Sequence, residues 1–97
     1  LKDDRLFISF RDMAKDSPTK GDWLAWVGTW DDIAKGRDGQ MRIRLMDNLN
    51  DWDCAYPGVE VLRDGTVFTA TYGHWTKDEK PYIVGFRLKP GSFVPPR

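Results

Sequence analysis

The sequence has one cysteine, one histidine, no net charge and no long apolar run, and each scarcity removes a class of function. A lone Cys54 cannot close an internal disulfide, and together with His74 it cannot supply the ligand set of a structural zinc site. Cys54 therefore reads as a small buried hydrophobe. The 15 Lys and Arg balance the 15 Asp and Glu, so no global field draws the chain to nucleic acid or to an acidic membrane. No apolar stretch approaches the roughly 20 residues of a spanning helix, and no secretion leader is visible. The first residue is Leu1 rather than Met, which leaves open a signal further upstream; such a signal would direct the parent protein to the outside of the cell or to the periplasm. No spacing of residues calls for a metal, a nucleotide or a redox cofactor. Sustained helical periodicity is missing as well, which excludes a helical bundle.

What is present is aromatic and alternating. Aromatic residues make up 13% of the 97 residues, with five Trp in an otherwise polar chain, and flat aromatic faces suit the binding of sugars. Six short segments read as strands: 6–10 (LFISF), 23–29 (WLAWVGT), 41–46 (MRIRLM), 59–62 (VEVL), 66–72 (TVFTATY) and 82–88 (YIVGFRL). In the third, Met41, Ile43 and Leu45 fall on one face, and Arg42 and Arg44 on the other, solvated one. Asp64-Gly65 between the fourth and fifth predicts a tight hairpin. Asp31 to Gly39 can hold one helical turn capped by Asp31, but its two glycines favour a structured loop. The three prolines of residues 89–97 forbid ladder pairing and predict a tail along the surface. The class expected is all-β. The strand spacing suits a sandwich, a barrel or consecutive four-stranded propeller blades, with length for about two blades.

The stretch from Tyr56 through Val59-Glu-Val-Leu62 and Asp64-Gly65 to Thr66-Val-Phe-Thr-Ala-Thr-Tyr72 resembles the final blade of the sialidase superfamily. In that family a tyrosine opens the innermost strand, a leucine and an Asp-Gly turn follow, and the next strand ends in tyrosine. Residues 6–30 look like the second and third strands of the preceding blade, and 82–88 like the third strand of the last. The resemblance implies antiparallel blades of a six-bladed propeller, with 1–50 in the penultimate blade and 51–97 as the last blade and tail. The family's closing strand comes from its N-terminal end and is not in this sequence. Open edges follow, so the missing upstream blades, or copies of the chain itself, are the partners expected. The family's Ser-x-Asp-x-Gly-x-Thr-Trp box is not intact, with only a weak echo at Thr29-Trp30-Asp31-Asp32. A family glutamate is replaced by Gly73. These departures mark a divergent branch.

The resemblance also implies a chemistry. Sialidases use a tyrosine nucleophile. The substrate bears a carboxylate at its anomeric carbon, which repels an anionic nucleophile but not a phenol activated by a carboxylate. Tyr56 matches that nucleophile; the alternative is a core tyrosine beside Pro57. The activating carboxylate and the general acid belong to upstream blades in the family pattern. Of the arginines that grip the substrate carboxylate, one belongs near Arg11 or Lys20. Arg11 can equally be half of a surface ion pair with Asp12, and Lys20 a solvated loop residue. Tyr72, His74 and Trp75 follow the hairpin as candidate sugar contacts, against core packing for Trp75 and a structural role for a histidine with no evident partner.

The expected function is accordingly a fragment of a sialidase-like glycoside hydrolase acting on a terminal sialic acid or a related glycan, inactive by itself. Two alternatives stand beside it: a non-catalytic glycan-binding propeller, and a self-assembling structural β-module that closes a ring by oligomerising.

Overall fold

The structure, a computed structural model, describes residues 1–93. Strands β1 (Leu6–Arg11), β2 (Trp23–Gly28) and β3 (Met41–Met46) form one antiparallel sheet in the order β1-β2-β3. Strands β4 (Gly58–Val61), β5 (Val67–Gly73) and β6 (Tyr82–Leu88) form a second, in the order β4-β5-β6. All six expected strands are present, each within a residue of its expected bounds. No helix among the described residues is long and apolar enough to cross a membrane.

The Asp-Gly signal acts as read. Gly65 takes φ +87°, its N–H reaches the Leu62 carbonyl at 2.9 Å, and the Asp64 carboxylate accepts the Thr66 N–H at 2.9 Å. A left-handed position at the tip lets two short strands pair at once, because glycine has no Cβ to clash there. β3 alternates as expected, with Ile43 opposite Ala25 on the inner face and Arg42 and Arg44 outward.

Two expectations are corrected. Residues Trp30–Ala34 form a helix, α1, and its cap is Thr29 rather than Asp31. The Thr29 hydroxyl accepts the Asp32 N–H at 3.0 Å while the Asp32 carboxylate accepts the Thr29 N–H at 2.9 Å, a reciprocal box that stabilises even five residues. Glycines 36 and 39 act after the helix instead of preventing it. The tail does not simply run along the surface either. Pro90–Phe93 turns into a 3-10 helix, η1, that drives Phe93 into the core, where it meets Phe7 edge-on at 5.8 Å. Arg5 and Gln40 both donate to the Phe93 carbonyl, so the turn is tied to the first sheet. Pro95 and Pro96 lie outside the described residues.

The core sits between the two sheets in two clusters. Trp23, Cys54, Ala55 and Trp75 form one, with Trp23 stacked on Trp75 at 5.8 Å and edge-on to Phe86 at 5.4 Å. Val27, Val67 and Phe93 form the other. The inner faces are out of step by one strand. β1 meets β5, where the Thr69 hydroxyl donates to Ser9 Oγ at 3.0 Å, and β2 meets β6 through Trp23 and Phe86. β4 is left at one end, and its core-side Val59 and Val61 stay 41% and 42% exposed.

The β1–β2 connection carries its own polar centre. Asp12, 2% exposed, accepts from Ser17, from Thr19 at 2.6 Å, from the Ala14 N–H at 2.9 Å and from Arg42 at 2.9 Å. Burial alone would raise its pKa, but these donors outweigh it and hold the carboxyl well below the usual range. Gly21, at φ +89°, closes the loop; a Cβ there would fall 1.7 Å from the Asp51 carbonyl.

Candidate functional site

The loop between β3 and β4 lies across the ends of β1 and β5, and the residues expected to matter gather around it. Its course is set by two non-glycine residues in left-handed conformation, Asp51 at φ +40° and Ala55 at φ +57°. Each such position costs about 1 kcal/mol or more, so the surroundings must hold it. Trp52, Asp53 and Cys54 lie between the two.

Arg11 does much of the holding. It ends β1 and does not pair with Asp12, which is engaged by Ser17, Thr19 and Arg42. Instead its guanidinium donates to the Trp52 carbonyl at 2.6 Å and to the Cys54 carbonyl at 3.1 Å. The same guanidinium lies 5.8 Å from the Trp52 ring centre and 5.9 Å from that of Tyr56. The planar delocalised cation can bond in its plane and stack on its faces together, which an ammonium cannot.

Tyr56 stands two residues before β4 rather than in the strand, anchored by its N–H to the Thr71 hydroxyl at 3.1 Å. Its side chain is not a core tyrosine: the residue is 77% exposed, stacks at 6.3 Å on Tyr72, and its hydroxyl has no hydrogen-bond partner among the described residues.

Tyr72 belongs to β5. Its hydroxyl donates to Asp53 Oδ1 at 3.0 Å, and the other oxygen of Asp53 meets His74 Nε2 at 2.7 Å. The hydrogen bond from His74, then that from Tyr72, hold the Asp53 carboxyl below its ordinary value, and the same contact pushes the Tyr72 phenol up. His74 thus has a partner, 21 residues earlier in the chain. Its backbone is fixed too, through the Asn48 side chain at 3.1 Å and the Leu49 N–H at 2.8 Å.

The remaining candidates separate from this group. Trp75, expected as a possible sugar contact, is 8% exposed and stacked on Trp23 in the core, so its face is not offered to a ligand. Its ring also lies across Gly73, where a Cβ would fall 2.2 Å from the indole. That explains the absence of a side chain at the position where the resembled family has glutamate. Lys20 is exposed on a cleft it shares with Met13, Gly21, Asp51 and Trp52. Arg42 and Arg44 point outward as expected, toward Asp12 at 2.9 Å and Asp22 at 3.6 Å. Cys54 is fully buried, and burial pushes its thiol up to about 11, which makes it inert. Among the described residues no three His, Cys, Asp or Glu side chains gather as a metal site requires.

Sequence reasoning missed both Trp52 and Asp53. No periodicity marks a loop residue; the available signal was an aromatic between two acids in a stretch too short to bury it. In its chemistry the assembled site offers two exposed aromatic faces, a fixed guanidinium between them, and a carboxylate bridged to a phenol and an imidazole. In comparisons with known proteins, no family model matches the chain, and neither a curated protein nor a solved structure matches it.

Proposed function

We propose that the chain forms the last two blades of a sialidase-type propeller and that it presents a glycan-recognition surface built on Tyr56, Arg11, Tyr72, Asp53 and His74. The observation that carries this reading is Tyr56: a large ring, 77% exposed, held beside a guanidinium and beside a carboxylate network instead of in the core. An open aromatic face with hydrogen-bonding groups at its edge is how proteins stack on a sugar and fix its hydroxyls. A cation beside that face favours an acidic sugar such as sialic acid.

The one-strand offset between the sheets supports the blade assignment. With β1 opposite β5 and β2 opposite β6, a fourth strand beside β1 would lie over Val59 and Val61, and a fourth beside β6 would lie under β3. Two four-stranded blades, each lacking one strand here, account for both half-open core faces.

Recognition is favoured over hydrolysis by this chain alone. By the resemblance Tyr56 matches the nucleophile, but the carboxylate beside it, Asp53, is engaged by Tyr72 and His74. Hydrolysis is the second reading, favoured by the free Tyr56 hydroxyl, which is open to a carboxylate from an upstream blade.

Saturation-transfer NMR of the chain with N-acetylneuraminic acid tests the first reading. Transfer to the sugar, lost in Tyr56→Ala, is expected; no transfer to the wild-type chain overturns it. For the second, Tyr56→Phe in the full parent protein is expected to abolish turnover of a sialoside, and unchanged turnover removes the catalytic role.

A further inference from the structure

Resting on the glycan-binding reading, we propose that Trp52 and Lys20 form a second sugar subsite beside that of Tyr56, so that the surface takes an oligosaccharide with an acidic end rather than a single sugar.

Trp52 is the starting point. Of the five tryptophans, Trp23 and Trp75 are buried in the core and Trp26 lies flat over Gly28 and Gly39, while Trp52 is 60% exposed. Exposed Trp30 rides on a five-residue helix. Trp52 is different, because it is exposed and fixed together. Its carbonyl accepts from Arg11 at 2.6 Å, its ring lies against the same guanidinium, and its N-terminal neighbour Asp51 packs on Gly21 so closely that no side chain fits there. A rigid aromatic face loses little entropy when a ligand stacks on it, which is the condition for affinity at an exposed site.

Beside that ring lies a cleft of about 290 Å³ lined by Met13, Lys20, Gly21, Asp51 and Trp52. The Lys20 ammonium and the Asp51 carboxylate give it a donor and an acceptor for sugar hydroxyls, and Met13 an apolar wall. Arg11 is the shared element: its guanidinium is within 6 Å of both ring centres, so the Tyr56 and Trp52 rings neighbour the same cation. A sugar on Tyr56 with its acid toward Arg11 leaves the next unit of the glycan within reach of Trp52. Lys20 then acts on that next unit and not on the acidic group.

The experiment compares N-acetylneuraminic acid with α2,3-sialyllactose by calorimetry, on the wild-type chain, Trp52→Ala and Tyr56→Ala. The trisaccharide is expected to bind about tenfold tighter than the monosaccharide, the factor that one aromatic contact is worth. Trp52→Ala is expected to erase that gain, so that the affinity ratio of the two sugars falls to about one, whereas Tyr56→Ala is expected to abolish binding of both. Equal affinity of the two sugars for the wild type, or a gain that survives Trp52→Ala, overturns the second subsite while the Tyr56 reading stands. Binding of neither sugar overturns both. The Trp52 indole proton resonance supplies an independent readout on the unmutated chain: it is expected to shift with sialyllactose and to stay in place with the monosaccharide, and a resonance unmoved by sialyllactose counts against the proposal.

Discussion

Arg11 and Trp52, 41 residues apart, are joined twice: the guanidinium of one bonds the carbonyl of the other at 2.6 Å and lies 5.8 Å from its ring centre. Arg11→Lys keeps the charge but forfeits the planar cation, which donates to both carbonyls from one terminal nitrogen while lying near two rings. The expected cost is about 1–2 kcal/mol, the scale of a charged hydrogen bond lost at a half-buried site. Hydrogen exchange should quicken at the Cys54 and Ala55 amides, which depend on the loop's course, and stay unchanged in β2. Equal acceleration in β2 would mean that Arg11 supports the whole core instead of this loop.

Asp12 and Asp22 bracket the β1–β2 loop and respond to pH with opposite sign. Asp12 is held low by its donors, so its contribution is present above the unfolded value near 3.9 and is lost as pH falls through the lower folded one. Asp22 is pushed up, first by burial and further by the Asp47 carboxylate beside it, against the Asn48 N–H that it accepts at 2.9 Å. It therefore weakens the fold as pH rises from the unfolded value through the raised one. Asp22→Asn should flatten that loss as pH rises above the ordinary carboxylate value, read in urea titrations. Asp12→Asn should instead cost about 2 kcal/mol at neutral pH, because a neutral amide cannot satisfy the donors of Ser17, Thr19, Ala14 and Arg42 together. Unchanged neutral-pH stability of Asp12→Asn would contradict the network.

How much of this was legible from the chain depends on whether a residue's role is local. The strand set was, because period-two alternation such as Met41-Arg-Ile-Arg-Leu45 and a turn such as Asp64-Gly65 state their geometry within a few residues. Tyr56, Tyr72 and His74 were found as candidates, and they do come together. Asp53 was not, because its value lies in reaching Tyr72 and His74, which follow it by 19 and 21 residues and meet it only in the fold. The Asp12 ion pair, one of the two readings of Arg11, is absent because Asp12 is adjacent in sequence but alternation along β1 sends the two side chains to opposite faces. Trp75 shows the limit of composition, since an indole looks the same in a core as on a binding face. Phe93 was hidden by the prolines around it, which forbid a strand but not a single 3-10 turn.

Phe93 is the anchor of the second core cluster, and it stands outside every strand. Phe93→Ala should cost about 3–5 kcal/mol, the usual loss for a fully buried phenylalanine, and lower the urea midpoint without changing its slope. A loss below about 1 kcal/mol would mean that η1 does not dock in solution.

Gly73 answers to a packing requirement. Its missing side chain leaves room for the Trp75 ring, so Gly73→Ala should destabilise by about 1–3 kcal/mol, and Gly73→Glu by at least as much. The double variant Gly73→Glu with Trp75→Ala should be better tolerated than the sum of the two single changes, because removing the indole removes the clash that the new side chain makes. Strict additivity would show that the glycine is not there for the tryptophan.

Val59 and Val61 put the offset of the two sheets to the test. Both point to the core side of β4, yet more than a third of each is exposed, since no strand of the first sheet lies over them. Replacing both with Thr in the isolated chain should therefore change stability by no more than about 0.5 kcal/mol per site, the range of surface substitutions. Under the proposed two-blade reading, the same pair within a complete propeller should cost several times more, because a strand paired to the free edge of β1 would bury them. Guanidinium unfolding of the two proteins side by side measures the difference. Equal and small effects in both would mean that nothing covers β4 and that the two-blade arrangement is wrong, whereas a large loss already in the isolated chain would mean that the chain covers these valines itself, for instance by pairing with another copy.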